Sequence, residues 1–146
     1  MTTIILPDTH IALSSTDEIK QICEPLFSIS EVTYFGFFRE YRDKSYITLG
    51  TNADWFSYIH KEPLFFAITE FDAPSACHQP TFKIHPWKKL NELAPTHSAK
   101  EEYEKKIELA RNQFNISDGI CLFEKHNEHH DYFNFASYKD NSNIFD

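Results

Sequence analysis

Three histidines lie close together near the C-terminus, at a spacing that could hold a metal ion. His126, His129 and His130 fall in the segment EKHNEHHDYF, and Glu128 and Asp131 stand beside them. Imidazole nitrogens and carboxylate oxygens are common zinc ligands. A plain polar turn explains the same residues equally well, and no distant ligand is marked in the sequence. We therefore assign no metal ligand from the sequence, and we expect no cofactor.

The remaining reactive residues do not form a catalytic set. The chain has Cys23, Cys77 and Cys121, an odd number with no C-x-x-C spacing, which argues against a zinc ribbon or a redox pair. Cys23 and Cys121 lie in apolar runs, where thiols stay protonated and act as small core residues. No nucleophile elbow, P-loop or dinucleotide-binding motif occurs. We predict a non-enzymatic protein with no catalytic residue, in a reducing cytoplasmic compartment.

Several side chains are suited to binding a small molecule. Trp55 and Tyr58, in the segment NADWFSYIH, can donate hydrogen bonds to ligand carbonyls while their rings pack against apolar groups. Asp72 could accept a ligand N–H, although a solvated loop position is the favoured interpretation for a carboxylate. For Trp55 the competing interpretation is an ordinary core residue.

Strands near both ends of the chain could supply the floor of such a pocket. A strand over residues 32–41 carries aromatics on both parities, so both of its faces should be covered. Phe35, Phe37, Cys121 and Phe135 could line the cavity from the sheet, or could pack in an ordinary core. One parity of each strand should face the pocket, but the pattern does not say which.

Hydrophobic periodicity predicts the elements that position these residues. We predict helices over 17–27, 52–60, 86–93 and 98–114, and strands over 32–41, 45–49, 82–84, 119–125 and 131–138. Asn52 is the predicted N-cap of the second helix. The helix over 98–114 has a capping box at Ser98 and Glu101, a left-handed C-cap at Asn115, and Glu102 and Lys106 on its solvated face. Helices that flank two hairpins indicate an α+β fold, with helices packed on a central antiparallel sheet.

Length and charge limit the classes of function. The 146 residues suit one domain, which we place at 14–146 after an extended arm at 1–13. The formal net charge of −8 argues against direct contact with nucleic acid by these residues. The segment MTTIILPDTH does not have the pattern of a signal peptide, and no apolar run approaches the roughly 18 residues of a spanning helix, so we expect no membrane partner.

Three stretches resemble one family of bacterial regulators. They are ICEPLF followed by the hairpin VTYFGFFREYRDKSYITLG, then NADWFSYIH, and finally NISDGICLF, where Gly119 begins a strand. Together, over about residues 17–138, the chain resembles the N-terminal autoinducer-binding domain of LuxR-type transcription regulators. The resemblance implies an α/β/α sandwich similar to PAS and GAF domains. It also implies a quorum-sensing or other small signal held between the sheet and one helical layer.

The sequence departs from this family where the family binds its usual ligand. Thr51 and Asn52 stand where the family has Tyr-Pro, and the nearest match to its ligand-binding aspartate is Asp72, before Ala73 and Pro74. The resemblance implies that Trp87 corresponds to the second pocket tryptophan of the family, on condition that the preceding loop is longer here. These departures point away from acyl-homoserine lactones and toward another amphipathic signal, or none.

The family also places a DNA-binding helix-turn-helix module after this domain, and the chain ends before one would begin. We therefore expect the sensing part of such a regulator. The alternative is a ligand-free module that forms a homodimer through exposed aromatics such as Phe65 or Phe66.

Overall fold

A five-stranded antiparallel sheet organises the residues that the structure describes. The structure, a computed structural model, describes residues 7–43, 45–59, 81–87 and 97–138. In chain order the elements are α1 (Ile11–Ser14), α2 (Thr16–Ile29), β1 (Tyr34–Tyr41), β2 (Tyr46–Gly50), α3 (Ala53–Ile59), β3 (Thr81–Pro86), α4 (His97–Phe114), β4 (Gly119–Lys125) and β5 (His129–Ala136). The strand order is β2-β1-β5-β4-β3. The predicted α+β class with a central antiparallel sheet is confirmed.

The pairing of β1 with β5 joins two hairpins that lie far apart in sequence. Their register runs from Tyr34 opposite Ala136 to Tyr41 opposite His129. β2 extends the sheet beside β1, and β4 and β3 extend it beside β5. Because side chains alternate along a strand, this register fixes which residues of all five strands share a face.

The two faces of the sheet carry different side chains. The helix-facing surface bears Tyr34, Gly36, Phe38 and Glu40 of β1, and the residues opposite them on the other strands. Tyr34 belongs to the buried core formed with α3 and α4; its other members are Trp55, Phe56, Ile59, Ala110, Ile116 and Ala136. The outer face bears the intervening residues of β1, which are Phe35, Phe37, Arg39 and Tyr41.

The ends of α3 and α4 follow local capping rules. The Asn52 Oδ1 accepts the Trp55 amide at 2.9 Å, so the predicted N-cap of α3 is confirmed. Asn115 has φ 55°, as predicted for a left-handed C-cap, and the Ile116 amide bonds the Ala110 carbonyl at 3.0 Å. The predicted start of α4 was one residue late: the helix begins at His97, so Ser98 lies inside it rather than at its N-cap.

The N-terminal region is more helical than predicted. An extended arm was expected through residue 13, but α1 occupies Ile11–Ser14. The His10 Nδ1 caps this turn by accepting the Ala12 amide at 3.2 Å, and Ala12 is fully buried. α2 continues through Pro25 to Ile29, two residues beyond the predicted end. None of the described helices combines the length and hydropathy needed to cross a bilayer.

Candidate ligand site

The predicted site residues divide between the two faces of the sheet. Trp55, Tyr58, Trp87 and Cys121 belong to the side on which α3 and α4 pack. Strand alternation places Phe35, Phe37 and Phe135 on the outer face, so these three rings do not share a cavity with Cys121. Asp72 lies outside the described residues.

All three glycines of the chain lie on the helix-facing surface, and each lies beneath an aromatic ring. Tyr34 covers Gly36, Phe56 covers Gly50, and Trp87 covers Gly119. A Cβ atom at position 119 would lie 2.8 Å from the Trp87 ring and 2.6 Å from the Phe135 carbonyl oxygen. Because glycine has no side chain, these aromatic rings lie directly against the sheet backbone. The helix-facing surface is therefore closely packed around the glycines.

The indole N–H groups of both tryptophans already have acceptors inside the protein. Trp87 Nε1 donates to Asn134 Oδ1 at 3.1 Å. Trp55 donates to the Tyr34 hydroxyl, whose pKa is raised by burial and lowered to a smaller extent by this bond. The predicted donation from Trp55 to a ligand would therefore need an existing bond to break.

Packing around Trp55 joins α3 to α4. Its ring stacks on Tyr58 at 6.0 Å between centroids and meets Phe114 edge-on at 5.2 Å. Only 5% of Trp55 is exposed. Contacts of this kind favour the core interpretation for Trp55, with Tyr58 at the margin of the same cluster.

Beyond the glycines, the helix-facing surface changes from tight packing to a mixed apolar and polar floor. The Tyr132 ring lies between Phe38 at 5.4 Å and Phe123 at 5.1 Å. The adjacent cross-strand row contains Asn134, Cys121 and His85 together with Gly36 and Gly50. The sequence analysis did not select Tyr132, Asn134 or His85, because only the strand register brings them beside Cys121.

Helix α4 lies over this floor. Burial, with a smaller contribution from Cys121, raises the pKa of Tyr103, which places the tyrosine near the Cys121 row. Lys106 was predicted to lie on the solvated face of the helix, but it is only 8% exposed. The helix thus buries a phenol and an ammonium group.

His85 contributes a buried ring nitrogen to this region. Its Nε2 is shielded from solvent and has no hydrogen-bond partner in the part of the chain that the structure describes. The residue opposite it on β4 is Cys121, which is 4% exposed. A buried imidazole nitrogen without a partner is unfavourable unless another molecule supplies one, so this atom marks a place where a ligand can bond.

Glu40 and His130 form a buried polar pair at the far end of the same surface. They lie opposite each other in the β1–β5 register and are 2% and 1% exposed. Burial lowers the pKa of His130 from 6.5 to about 4, and the charges of Lys125, His129, His126 and Arg42 add to the effect. Because the unfolded chain binds this proton more readily, the contribution of His130 to stability falls as pH drops from 6.5 toward 4.

The outer face has a polar end and an apolar end. At the polar end, Arg39 forms a two-bond pair with Asp131, Nε to Oδ1 at 2.7 Å and Nη2 to Oδ2 at 2.8 Å. At the apolar end, Phe35 packs on Phe135 at 5.2 Å between ring centroids. Further large apolar side chains on this face are exposed: Ile47 by 39%, Phe82 by 60% and Ile84 by 57%.

Comparison with known proteins adds no further constraint. Neither a scan against protein-family models nor a search of curated proteins finds a match to this chain.

Proposed function

We propose that this chain is a small-molecule sensing domain of the LuxR-like type, which binds an amphipathic signal between the helix-facing surface of the sheet and α4. The single observation that best supports this is the His85 Nε2 atom, which is shielded from solvent opposite Cys121, in the row next to the aromatic rings, without a hydrogen-bond partner among the described residues. Ligand pockets typically combine apolar walls with a few placed polar groups.

The floor indicates the chemistry of the signal. Phe38, Tyr132 and Phe123 form a continuous aromatic strip that suits an acyl chain or a small ring. His85 and the Asn134–Trp87 pair lie beside this strip and suit a carbonyl or hydroxyl group. The signal is therefore expected to have an apolar body and one compact polar head.

Binding at this place would act on the whole domain. The signal would contact β1, β3, β4, β5 and α4 together, and so would hold the sheet and the helix in one arrangement. A ligand at 100 times its dissociation constant adds about 2.7 kcal/mol to the free energy of unfolding. The net charge of −8 does not favour phosphate contact, so in this role DNA binding belongs to a separate segment or partner.

A thermal-shift panel tests the proposal. The panel contains acyl-homoserine lactones of several chain lengths, α-hydroxyketones and fractionated cell extracts. For a chain of this size we expect a binding compound at 100 times its dissociation constant to raise Tm by about 8 °C. The absence of any shift across the panel and extracts would count against ligand sensing.

Two adjacent phenylalanines provide a matched pair of variants. Phe38→Leu changes the helix-facing surface, whereas Phe37→Leu makes the same change on the outer face. We expect Phe38→Leu to weaken the affinity for the compound by about tenfold, since the contact area that is lost is worth roughly 1–2 kcal/mol of binding free energy. Phe37→Leu should leave the affinity unchanged. Equal losses in the two variants would place the ligand elsewhere.

A second function is favoured by the outer face. Phe82 and Ile84 are more than half exposed beside two half-buried phenylalanine pairs, Phe35 with Phe135 and Phe37 with Phe133. Apolar patches of this kind often mark protein interfaces. The alternative is therefore a ligand-free homodimer that pairs these faces. Phe65 and Phe66, first considered for this role, lie outside the described residues.

Sedimentation of two lysine variants tests the dimer. If two copies associate through the outer face, Ile84→Lys should be monomeric at concentrations where the unaltered chain is dimeric, because it buries a charge in the interface. Ile22→Lys is the control, since Ile22 is 74% exposed on α2 and outside this face. A monomeric unaltered chain at high concentration would exclude this alternative.

A further inference from the structure

We propose that His126, His129 and Asp131 form a binding site for a borderline divalent metal ion such as Zn²⁺, at the turn between β4 and β5. One ligand atom from each residue lies within 4.8 Å of the others. The separation between His129 Nε2 and Asp131 Oδ2 is 3.7 Å. Ligand atoms around tetrahedral zinc lie about 3.4 Å apart, given metal–ligand bonds of 2.0–2.2 Å. Small side-chain rotations therefore complete the geometry.

The turn holds the two imidazoles side by side. The His126 amide donates to the His129 carbonyl at 2.9 Å, which closes the turn. The two rings stack at 4.5 Å between centroids, with an angle of 27° between their planes. Arg42 fastens the turn to the end of β1, since its Nε donates to the Asn127 carbonyl at 2.7 Å. A metal ion would thus meet ligands whose backbone positions are already fixed.

The third ligand is oriented by its own partner. Asp131 is buried, and Arg39 bonds one lone pair on each of its oxygens. Each carboxylate oxygen has two lone pairs, so Oδ2 retains one for a metal ion. Metal-bound carboxylates are commonly hydrogen-bonded in this way by neighbouring groups. The positive charge of Arg39 should make the site weaker than a closed zinc site of four protein ligands.

A second carboxylate lies beside the site. Glu124 Oε2 is 3.5 Å from His126 Nε2, close to the spacing between two ligands of one zinc ion. His126 and Glu124 are partly exposed, so the ion has a path from solvent and room for a water ligand. His130, which the sequence groups with these histidines, lies on the opposite face and is excluded from the set. The site is also on the other side of the sheet from the proposed signal, so either proposal can fail alone.

Calorimetric titration of the tag-free chain with Zn²⁺ tests the site. We expect one saturable event, weakened at least tenfold by His126→Gln and by His129→Gln, since even the loss of a group that only orients a ligand costs 10–100-fold. His97→Gln is the matched control, because His97 Nε2 lies 3.2 Å from Glu101 in an isolated histidine–carboxylate pair on α4. The affinity of the His97→Gln chain for Zn²⁺ should equal that of the unaltered chain.

Copper provides a readout that needs no variant. Cu²⁺ prefers the same nitrogen and oxygen ligands, and its electron paramagnetic resonance spectrum should show hyperfine coupling to two equivalent imidazole nitrogens. Coupling to a single nitrogen would overturn the site. So would the absence of saturable Zn²⁺ binding, unchanged binding in the two glutamine variants, or an equal loss in His97→Gln. Circular dichroism shows whether each variant is folded. If a variant is unfolded, the copper spectrum of the unaltered chain tests the site instead.

Discussion

Replacing Gly119 by alanine should destabilise the fold by about 3 kcal/mol, at the upper end of the usual cost of overpacking. The new methyl group would lie 2.6 Å from the Phe135 carbonyl oxygen and 2.8 Å from the Trp87 ring. Neither obstacle moves easily, because the carbonyl belongs to the central strand β5 and the Trp87 ring is bonded to Asn134. The sheet or Trp87 must shift, and the core around Tyr34 shifts with them.

Urea denaturation of Gly119→Ala and Gly36→Ala measures this effect against a matched control. Position 36 has the same strand geometry on the same face, but the methyl group would meet only the end of the Tyr34 side chain. The Tyr34 hydroxyl is buried and bonded to Trp55, but no backbone atom is among the nearest contacts, so we expect a smaller loss of roughly 1–2 kcal/mol there. Without any clash, alanine would be the more stable residue in a strand, since glycine loses more entropy on folding. A Gly119→Ala chain as stable as the unaltered one would contradict the packing described here.

Replacing Arg39 by methionine should cost about 3–5 kcal/mol, the range observed when one partner of a buried ion pair is removed. The pair is asymmetric, because the Asp131 side chain is 5% exposed while that of Arg39 is 34% exposed. Asp131 supplies the main interaction that raises the pKa of Arg39. Without the guanidinium, the buried Asp131 carboxyl group loses two hydrogen bonds and its ionic partner. The methionine preserves most of the apolar stem of the arginine.

Two variants make this prediction specific. Asp131→Asn should lower the free energy of unfolding by less than Arg39→Met does. The charge left without a partner is then that of Arg39, which is more exposed to solvent, and the asparagine amide oxygen can still accept a hydrogen bond. Arg42→Met makes the same substitution at an arginine whose bond to Asn127 is exposed, and should cost under about 1 kcal/mol. Thermal unfolding of the three variants gives the order. Equal losses at positions 39 and 42 would show that burial of Asp131 does not decide the cost.

The elements set by local chemistry could be predicted from the sequence. The helix over 98–114 was placed within one residue because its apolar spacing and its C-cap at Asn115 depend only on neighbours in the chain. The Asn52 cap of α3 was correct for the same reason. α1 was missed because its cap is the side chain of His10, a residue type that the usual capping preferences do not favour.

The faces of the strands could not be predicted. β1 carries aromatic residues on both parities, so its own pattern does not show which of Phe37 and Phe38 faces the helices. That choice is made by α3 and α4, which pack beside Tyr34, and by Phe56 and Trp87, which lie over two of the glycines. His85 carried no local signal at all, because its position beside Cys121 depends on the pairing of β3 with β4.

The histidine cluster illustrates the same limit from the opposite direction. His129 and His130 are adjacent in sequence, yet one lies on the outer face and the other is buried on the helix-facing surface. Sequence proximity therefore overestimated the number of imidazoles that can act together. The carboxylate that completes the set, Asp131, was visible in the sequence only as part of a polar turn.

The alternation of side chains along β5 also makes the length of the β4–β5 turn a constraint in its own right. One residue inserted or deleted between β4 and β5 would shift β5 against its neighbours and exchange the faces of His130 and Asp131. A carboxylate paired with Arg39 would then point into the core, and a neutral imidazole would point toward solvent. Changes of two residues preserve the alternation. Over evolutionary time, this turn should therefore tolerate changes of sequence and changes of even length more readily than the gain or loss of a single residue.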